Sequence, residues 1–242
     1  MFMKKAGIYF LFMIMLLPFF SSCNNDGYSL NDYSISIATV KAEGSAYYLQ
    51  LDNGEKLWPA AQDFYYKPGN GQRVWANYTI LSDKQNGFDH YVKVNALSNI
   101  LTKKVIDLTE SNKDSIGNDN VKMFDIWFAD EYINIIFGYN TSYGYRHYVN
   151  LVNNTLTESP EDGKVYLDFR QNGNGAPANF GAQAIVSFNV SEYLTAENKE
   201  VTFVISANTF SGVKQYEIKA EANTAQPKIS VKELNTFSQE IK

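Results

Sequence analysis

The feature that most constrains this chain is a period of two. Tyr47, Leu49 and Leu51 alternate up to Asp52-Asn53-Gly54-Glu55, and Lys56-Leu57-Trp58 resumes beyond it. Asn-Gly between two apolar runs is the strongest short hairpin signal, because both residues tolerate the positive φ of a type I′ turn. The alternation also runs earlier, through Ile35, Ile37 and Val40 towards Gly44. It returns at Val74, Ala76, Tyr78 and Ile80, and again after Asn86-Gly87 at His90, Val92, Val94 and Ala96. Pro59 lacks an N–H for a ladder, so the third strand is expected to end there, ahead of a Tyr-, Pro- and Gly-rich loop from Ala60 to Gln72. Five short strands in this order suit a small Greek-key barrel of the OB type; a two-sheet sandwich fits the pattern as well.

Polarity rises from Ser98 to Asn120, around Thr109-Glu110-Ser111-Asn112-Lys113-Asp114-Ser115, and this stretch is expected to connect two domains, partly extended through Val105, Ile106 and Leu108. A second set of strands follows at Val121 to Phe128, Tyr132 to Tyr139, His147 to Val152, Val165 to Phe169, Ala182 to Val190, Val201 to Ala207 and Val213 to Ile218. Seven strands at this spacing predict an antiparallel β-sandwich. Ser191 to Asn198 is expected to hold a short helical turn, and the pattern fades into a tail from Glu221. The expected organisation is therefore a leader over 1–22, a tether over 23–33, a barrel over 34–103, a linker over 104–119, a sandwich over 120–220 and a tail over 221–242.

The leader is legible on its own. Lys4 and Lys5 precede an apolar run from Ala6 to Phe20, and Ser21-Ser22 bring small residues to Cys23, the one cysteine in the chain. A basic start, a short apolar run and a small-residue site are the layout of a secretory signal. The run is too short for a bilayer-spanning helix, which needs roughly 20 residues, and Pro18 interrupts it. Phe20-Ser21-Ser22-Cys23 resembles the lipobox of bacterial lipoproteins, which implies cleavage before Cys23 and acylation of its thiol and new amine. Several acyl chains hold a protein at a membrane where one binds only marginally. The expected location is the cell envelope, anchored by lipid at the outer membrane, with its orientation left open. A domain beyond Cys23 has no disulfide available and must rest on packed area. Aromatic residues make up 15% of the chain, with Tyr 17 and Phe 16, which gives sheet cores ample material.

A family resemblance is carried by Tyr48-Leu49-Gln50-Leu51-Asp52-Asn53-Gly54, Leu57-Trp58-Pro59, Gly71-Gln72-Arg73-Val74, Asn77-Tyr78-Thr79 and Tyr91-Val92-Lys93-Val94-Asn95 in the first half. In the second half it is carried by Gly117-Asn118-Asp119, Asp125-Ile126-Trp127, Leu167-Asp168-Phe169-Arg170 and Ile185-Val186-Ser187-Phe188. In these the chain resembles the NigD-like lipoproteins of bacteroidetes. The resemblance implies an all-β protein, an N-terminal OB-like barrel followed by a C-terminal β-sandwich. The family takes its name from a bacteriocin locus and a proposed immunity role, and it brings no catalytic or ligand motif.

The residues add little chemistry. His90 and His147 lack a second histidine or a cysteine at metal-ligand spacing, so each reads as structural or solvated. No G-x-S-x-G elbow surrounds a serine. Gly173-Asn174-Gly175 lacks the Lys-Ser/Thr of a phosphate loop and reads as a flexible connection between strands. Glu110, Asn112, Asp114, Asn118 and Asp119 miss the EF-hand spacing. The expectation is thus no catalytic residue, no metal and no cofactor. The barrel's six basic residues from Ser34 to Asn99 are offset by six acids, which argues against nucleic acid. Trp58, Trp75 and Trp127 are expected to fill the two cores. Tyr65, Tyr66, Tyr143 and Tyr145, in expected loops, are candidates for a binding platform. Asp114-Ser115-Ile116 resembles the short sequon on which bacteroidete envelope proteins carry O-linked glycans, with Ser115 the acceptor.

These features give a non-enzymatic, lipid-anchored envelope module that binds a protein or peptide, with bacteriocin immunity suggested by the resemblance. The alternative is a surface glycan-binding lipoprotein serving carbohydrate uptake.

Overall fold

A computed structural model of the chain describes residues 28–194, 200–220 and 241–242. The leader over 1–22, Cys23 and the tail over 221–240 lie outside the described residues. Among the described residues no helix is long and apolar enough to cross a membrane.

Strands β1 (Ser34–Glu43), β2 (Ala46–Leu51), β3 (Lys56–Gln62), β4 (Arg73–Ser82) and β5 (His90–Asn99) close into a barrel in the order β1-β2-β3-β5-β4. The alternation decides which way each residue points. Val40, Leu49, Leu51, Leu57, Val74, Ala76, Val92 and Val94 fill the interior. Two expectations need correcting here. Strand β3 runs past Pro59 to Gln62, because Pro59 sits at a register shift against β5, where the ladder asks no N–H of it. Of the two Asn-Gly pairs, Asn86-Gly87 has positive φ at both residues and closes a two-residue turn between Gln85 and Phe88. At Asn53-Gly54 only Gly54 has positive φ, and Leu51 N–H reaches Glu55 over a wider loop.

The second domain is two packed sheets. One has the order β14-β13-β11-β10-β7 and the other β6-β12-β9-β8, built from β6 (Leu101–Lys104), β7 (Ile106–Leu108), β8 (Lys122–Ala129), β9 (Tyr132–Thr141), β10 (Tyr148–Asn154), β11 (Val165–Asn172), β12 (Phe180–Asn189), β13 (Thr202–Thr209) and β14 (Gly212–Lys219). Phe137, Phe169, Phe188 and Phe203 meet at its centre, with Ile241 brought in from the chain's end. A 3-10 turn at Ser191–Tyr193 stands where a helical turn is expected. The pairing is mixed: β6 joins β12, β7 joins β10 and β11 joins β13 in parallel.

The first five residues of the expected linker over 104–119 are part of this sandwich. Strand β6 enters one sheet, buried Val105 crosses between the layers, and β7 enters the other. Only Thr109 to Asp119 loops out, carrying helix α1 (Lys113–Ile116), and Ile116 pins it back against Leu108 and Val152. The polar composition around Thr109 described this loop correctly, whereas the strands of four and three residues are too short for a period of two to register.

The two domains share a seam. Ile37 and Trp75 of the barrel pack with Ile100, Trp127, Ala129, Ile136 and Ile185. Within it Arg73, fully buried, places Nη2 2.6 Å from Asp52 Oδ1. Its Nη1 donates to Thr39 Oγ1 at 2.9 Å and its Nη2 to Asn134 Oδ1 at 3.2 Å. Asp52 Oδ2 accepts from Trp127 Nε1 at 3.0 Å, and Ser187 Oγ donates to Asn134 Oδ1 at 2.6 Å. The Tyr132 ring lies 5.3 Å from the Arg73 guanidinium, and its hydroxyl donates to Gly71 O at 2.8 Å. Thr39, Asp52 and Arg73 come from the barrel, and Trp127, Tyr132, Asn134 and Ser187 from the sandwich. Buried charges are paired and hydrogen-bonded as a rule, and this network does so with groups drawn from both the barrel and the sandwich.

Candidate functional site

The outer face of the barrel carries a row of rings. Trp58 on β3 is in register with Tyr91 on β5. Leu49 pairs with Leu57 on the neighbouring ladder, which brings Tyr48 of β2 alongside Trp58. The Asn86-Gly87 turn then folds Phe88 onto the row, with its ring 5.0 Å from Trp58, 5.6 Å from Tyr48 and 6.3 Å from Tyr91. All four are half-buried, so each ring gives one side to its neighbours and keeps another for solvent. The turn is held firmly: Asp89 accepts from Lys56 N–H at 2.9 Å, and Asn86 Nδ2 donates to the Tyr91 hydroxyl at 3.0 Å. That backbone N–H, with Lys84 beside it, holds the Asp89 carboxyl below the usual carboxylate range. Polar groups frame the rings, with Gln50 and Lys56 on one side and the Lys93–Asp63 pair at 2.8 Å on the other. Strands 2 and 3 of an OB barrel are the face on which such folds bind oligonucleotides and oligosaccharides, and aromatic residues with a polar surround are enriched among the residues that carry binding energy at interfaces.

The tyrosines nominated from sequence lie elsewhere. Tyr65 is 88% exposed. Tyr66 packs on Tyr47 at 5.6 Å and donates to Asn99 Oδ1 at 3.1 Å, and burial pushes its phenol up. In the other domain Tyr143, 86% exposed, packs at a tilt against Phe180 with the ring centroids 4.8 Å apart, while Tyr145 is half-buried. The structure does not gather these four into one platform. The expectation for the tryptophans also needs correcting, since Trp75 and Trp127 fill the seam and Trp58 lies on the outer face. A signal for the row was present: Tyr48 and Trp58 fall out of phase with Leu49, Leu51 and Leu57, which points them outward.

His147 is fully buried between Thr141 Oγ1 at 2.7 Å and Gln171 Nε2 at 2.5 Å, in keeping with a structural role, and His90 is half-buried on β5. Ser115 is exposed on α1, its hydroxyl donating to Asn112 O at 2.9 Å. The glycine-rich connection is a defined turn: Asn174 and Gly175 have positive φ, and Ala176 N–H closes onto Gly173 O. It borders a cleft of about 440 Å³ at this end of the sandwich, lined also by Asp119, Asn120, Asn140, Asn172 and Phe210.

Barrel, sandwich and seam define a two-domain all-β protein built as one body. Residues 37–100 match the family model of the NigD-like N-terminal OB domain and residues 104–220 that of the NigD-like C-terminal beta sandwich domain, and the chain belongs to this family. It is similar to a solved protein of unknown function from Bacteroides vulgatus, at 29% identity and TM-score 0.73 over 86% of this chain and 100% of that one. A protein designated toxin-related from Parabacteroides distasonis is 34% identical, with TM-score 0.69 over 79% of this chain and 95% of that one. A protein designated a NigD-like immunity protein from Bacteroides caccae is 25% identical, with TM-score 0.59 over 78% of this chain and 93% of that one. No functionally curated protein matches the chain.

Proposed function

We propose that this protein is a lipid-anchored binding protein of the cell envelope, without catalytic activity, that holds a protein partner on the aromatic row of its barrel. The observation that carries the reading is the registered set Tyr48, Trp58 and Tyr91 with Phe88 laid across it. Half-buried Trp and Tyr rings already fixed by neighbours lose little entropy when a partner covers them. The toxin-related and immunity designations of two relatives support a secreted protein, such as a bacteriocin, as that partner. The barrel's balanced charge weighs against nucleic acid. The leader and the lipobox-like approach to Cys23 support attachment by lipid, and the outer membrane is the membrane we propose.

Crosslinking in intact native cells tests the docking face. Wild-type protein is expected to capture a discrete species that Trp58→Ala protein, folded and present at the same level, does not. Equal capture by both overturns the reading. Detergent partitioning tests the anchor: the wild type is expected in the detergent phase and Cys23→Ala in the aqueous phase. A glycan on Ser115 belongs to the same proposal. Intact mass from the native host should exceed that of Ser115→Ala by more than the side-chain difference.

A further inference from the structure

We infer that the cleft at the end of the sandwich is a second binding site, for a neutral saccharide, independent of the ring row on the barrel. Its construction separates scaffold from contact groups. Asp119 Oδ2 accepts the Gly173 N–H at 2.7 Å, Asn172 Nδ2 donates to Ser115 O at 2.8 Å, and Asn172 Oδ1 accepts Asn174 N–H at 2.7 Å. These bonds tie the glycine turn to the loop that carries α1. Gly173 is closely packed there: a Cβ would lie 3.2 Å from both Asp119 Oδ2 and His147 Cε1. Buried His147 and Gln171 brace the turn from behind.

What the scaffold leaves facing the cleft is a mixed set. The exposed amides of Asn120 and Asn140 make no side-chain hydrogen bond among the described residues, so each offers both a donor and an acceptor. Asp119 keeps Oδ1 as an acceptor, and the Phe210 ring, 53% exposed, stands at the rim. No lysine or arginine lines the cleft, which weighs against phosphate, sulfate or a carboxylate ligand. A single carboxylate is too few for a calcium or magnesium cage. Neutral amides, one carboxylate acceptor and a ring face match a polyhydroxylated ring, whose hydroxyls both donate and accept and whose C–H face stacks on an aromatic. The volume of about 440 Å³ is in the range of small-ligand sites and admits one or two sugar units.

The test uses the mature chain carrying Cys23→Ser, so that it stays soluble, and a panel of glucose, galactose, mannose, N-acetylglucosamine, cellobiose, lactose and chitobiose. Saturation-transfer difference NMR followed by titration is expected to find at least one saturable sugar. Phe210→Ala and Asn140→Ala, both at exposed positions, are expected to weaken it at least tenfold with the near-ultraviolet circular dichroism unchanged. Trp58→Ala is expected to leave sugar binding intact, which separates this site from the proposed protein-docking face. No binding by any sugar of the panel overturns the inference. So does binding that survives both cleft variants, or that only Trp58→Ala abolishes.

Discussion

The seam and the barrel's outer face are built from the same kinds of residue and put them to opposite ends. In the seam, Trp127 is 6% exposed and spends its indole N–H on Asp52, which in turn holds Arg73. On the face, Trp58 packs its ring against Phe88 and Tyr91 and keeps part of it for water. The difference lies in what surrounds the ring. A charged partner across a domain boundary makes a tryptophan structural, and a row of its own kind on a sheet surface leaves it available. One region is therefore expected to carry stability and the other recognition.

Arg73→Met should break this comparison most visibly. It strands Asp52 in a buried site, and losses of roughly 3–5 kcal/mol are usual when one member of a buried pair is removed. Burial already pushes the Asp52 carboxyl up, with Arg73 and Trp127 pulling against it. Without Arg73 the folded value rises further. A carboxyl with a raised folded pKa favours the folded state below its unfolded value and loses that contribution as pH rises through the folded one. Denaturant unfolding should therefore find the deficit of Arg73→Met largest at neutral pH and shrinking towards pH about 4. The double variant Arg73→Met with Asp52→Leu should recover much of the loss, since both charges are gone. A deficit independent of pH would mean that Asp52 is not the stranded group.

Next in size is the contrast between two truncations. Trp127→Ala is expected to cost roughly 3–5 kcal/mol, as for other buried large-to-small changes, whereas Trp58→Ala should cost about 1 kcal/mol, the ordinary value for a point change. Equal costs would erase the distinction between the regions. Trp127→Phe sharpens it: the ring is largely kept and only the donor to Asp52 is lost, for roughly 1–3 kcal/mol. Smallest is Lys41→Met at the seam's edge, where the Lys41–Asp130 pair at 2.6 Å is partly solvated. Such pairs are worth below about 1 kcal/mol, and high salt should remove the effect.

The barrel was legible in the sequence because its strands are long enough for the alternation of Leu49, Leu51, Val74, Ala76, Val92 and Val94 to declare an inside. The seam was not. Asp52 reads as part of a turn with Asn53-Gly54, and Arg73 as the first residue of a strand. Their meeting depends on barrel closure and on Trp127 arriving from 75 residues away. Local pattern carries no term for such a pair. The same limit hid β6 and left the extended stretch at Ile106 to Leu108 outside the sandwich, because membership of β6 and β7 is set by their parallel partners β12 and β10 rather than by their own residues. Because these strands are hydrogen-bonded one into each sheet, limited proteolysis should spare Leu101 to Leu108 and enter the loop that follows them, at Thr109 to Asn112. The ring row was half legible, since parity turned Tyr48 and Trp58 outward. Phe88 joins them only through the Asn86-Gly87 turn.

Hydroxyl-radical footprinting, read by mass spectrometry on the purified protein and on the protein in its native envelope, tests the division between seam and face most directly. Trp127 should resist labelling in both settings. Trp58 and Tyr91 should label in the purified protein and become protected in the envelope, where a partner covers the row. Labelling of Trp58 that is equal in the two settings, or labelling of Trp127 as fast as that of Trp58, would contradict the account.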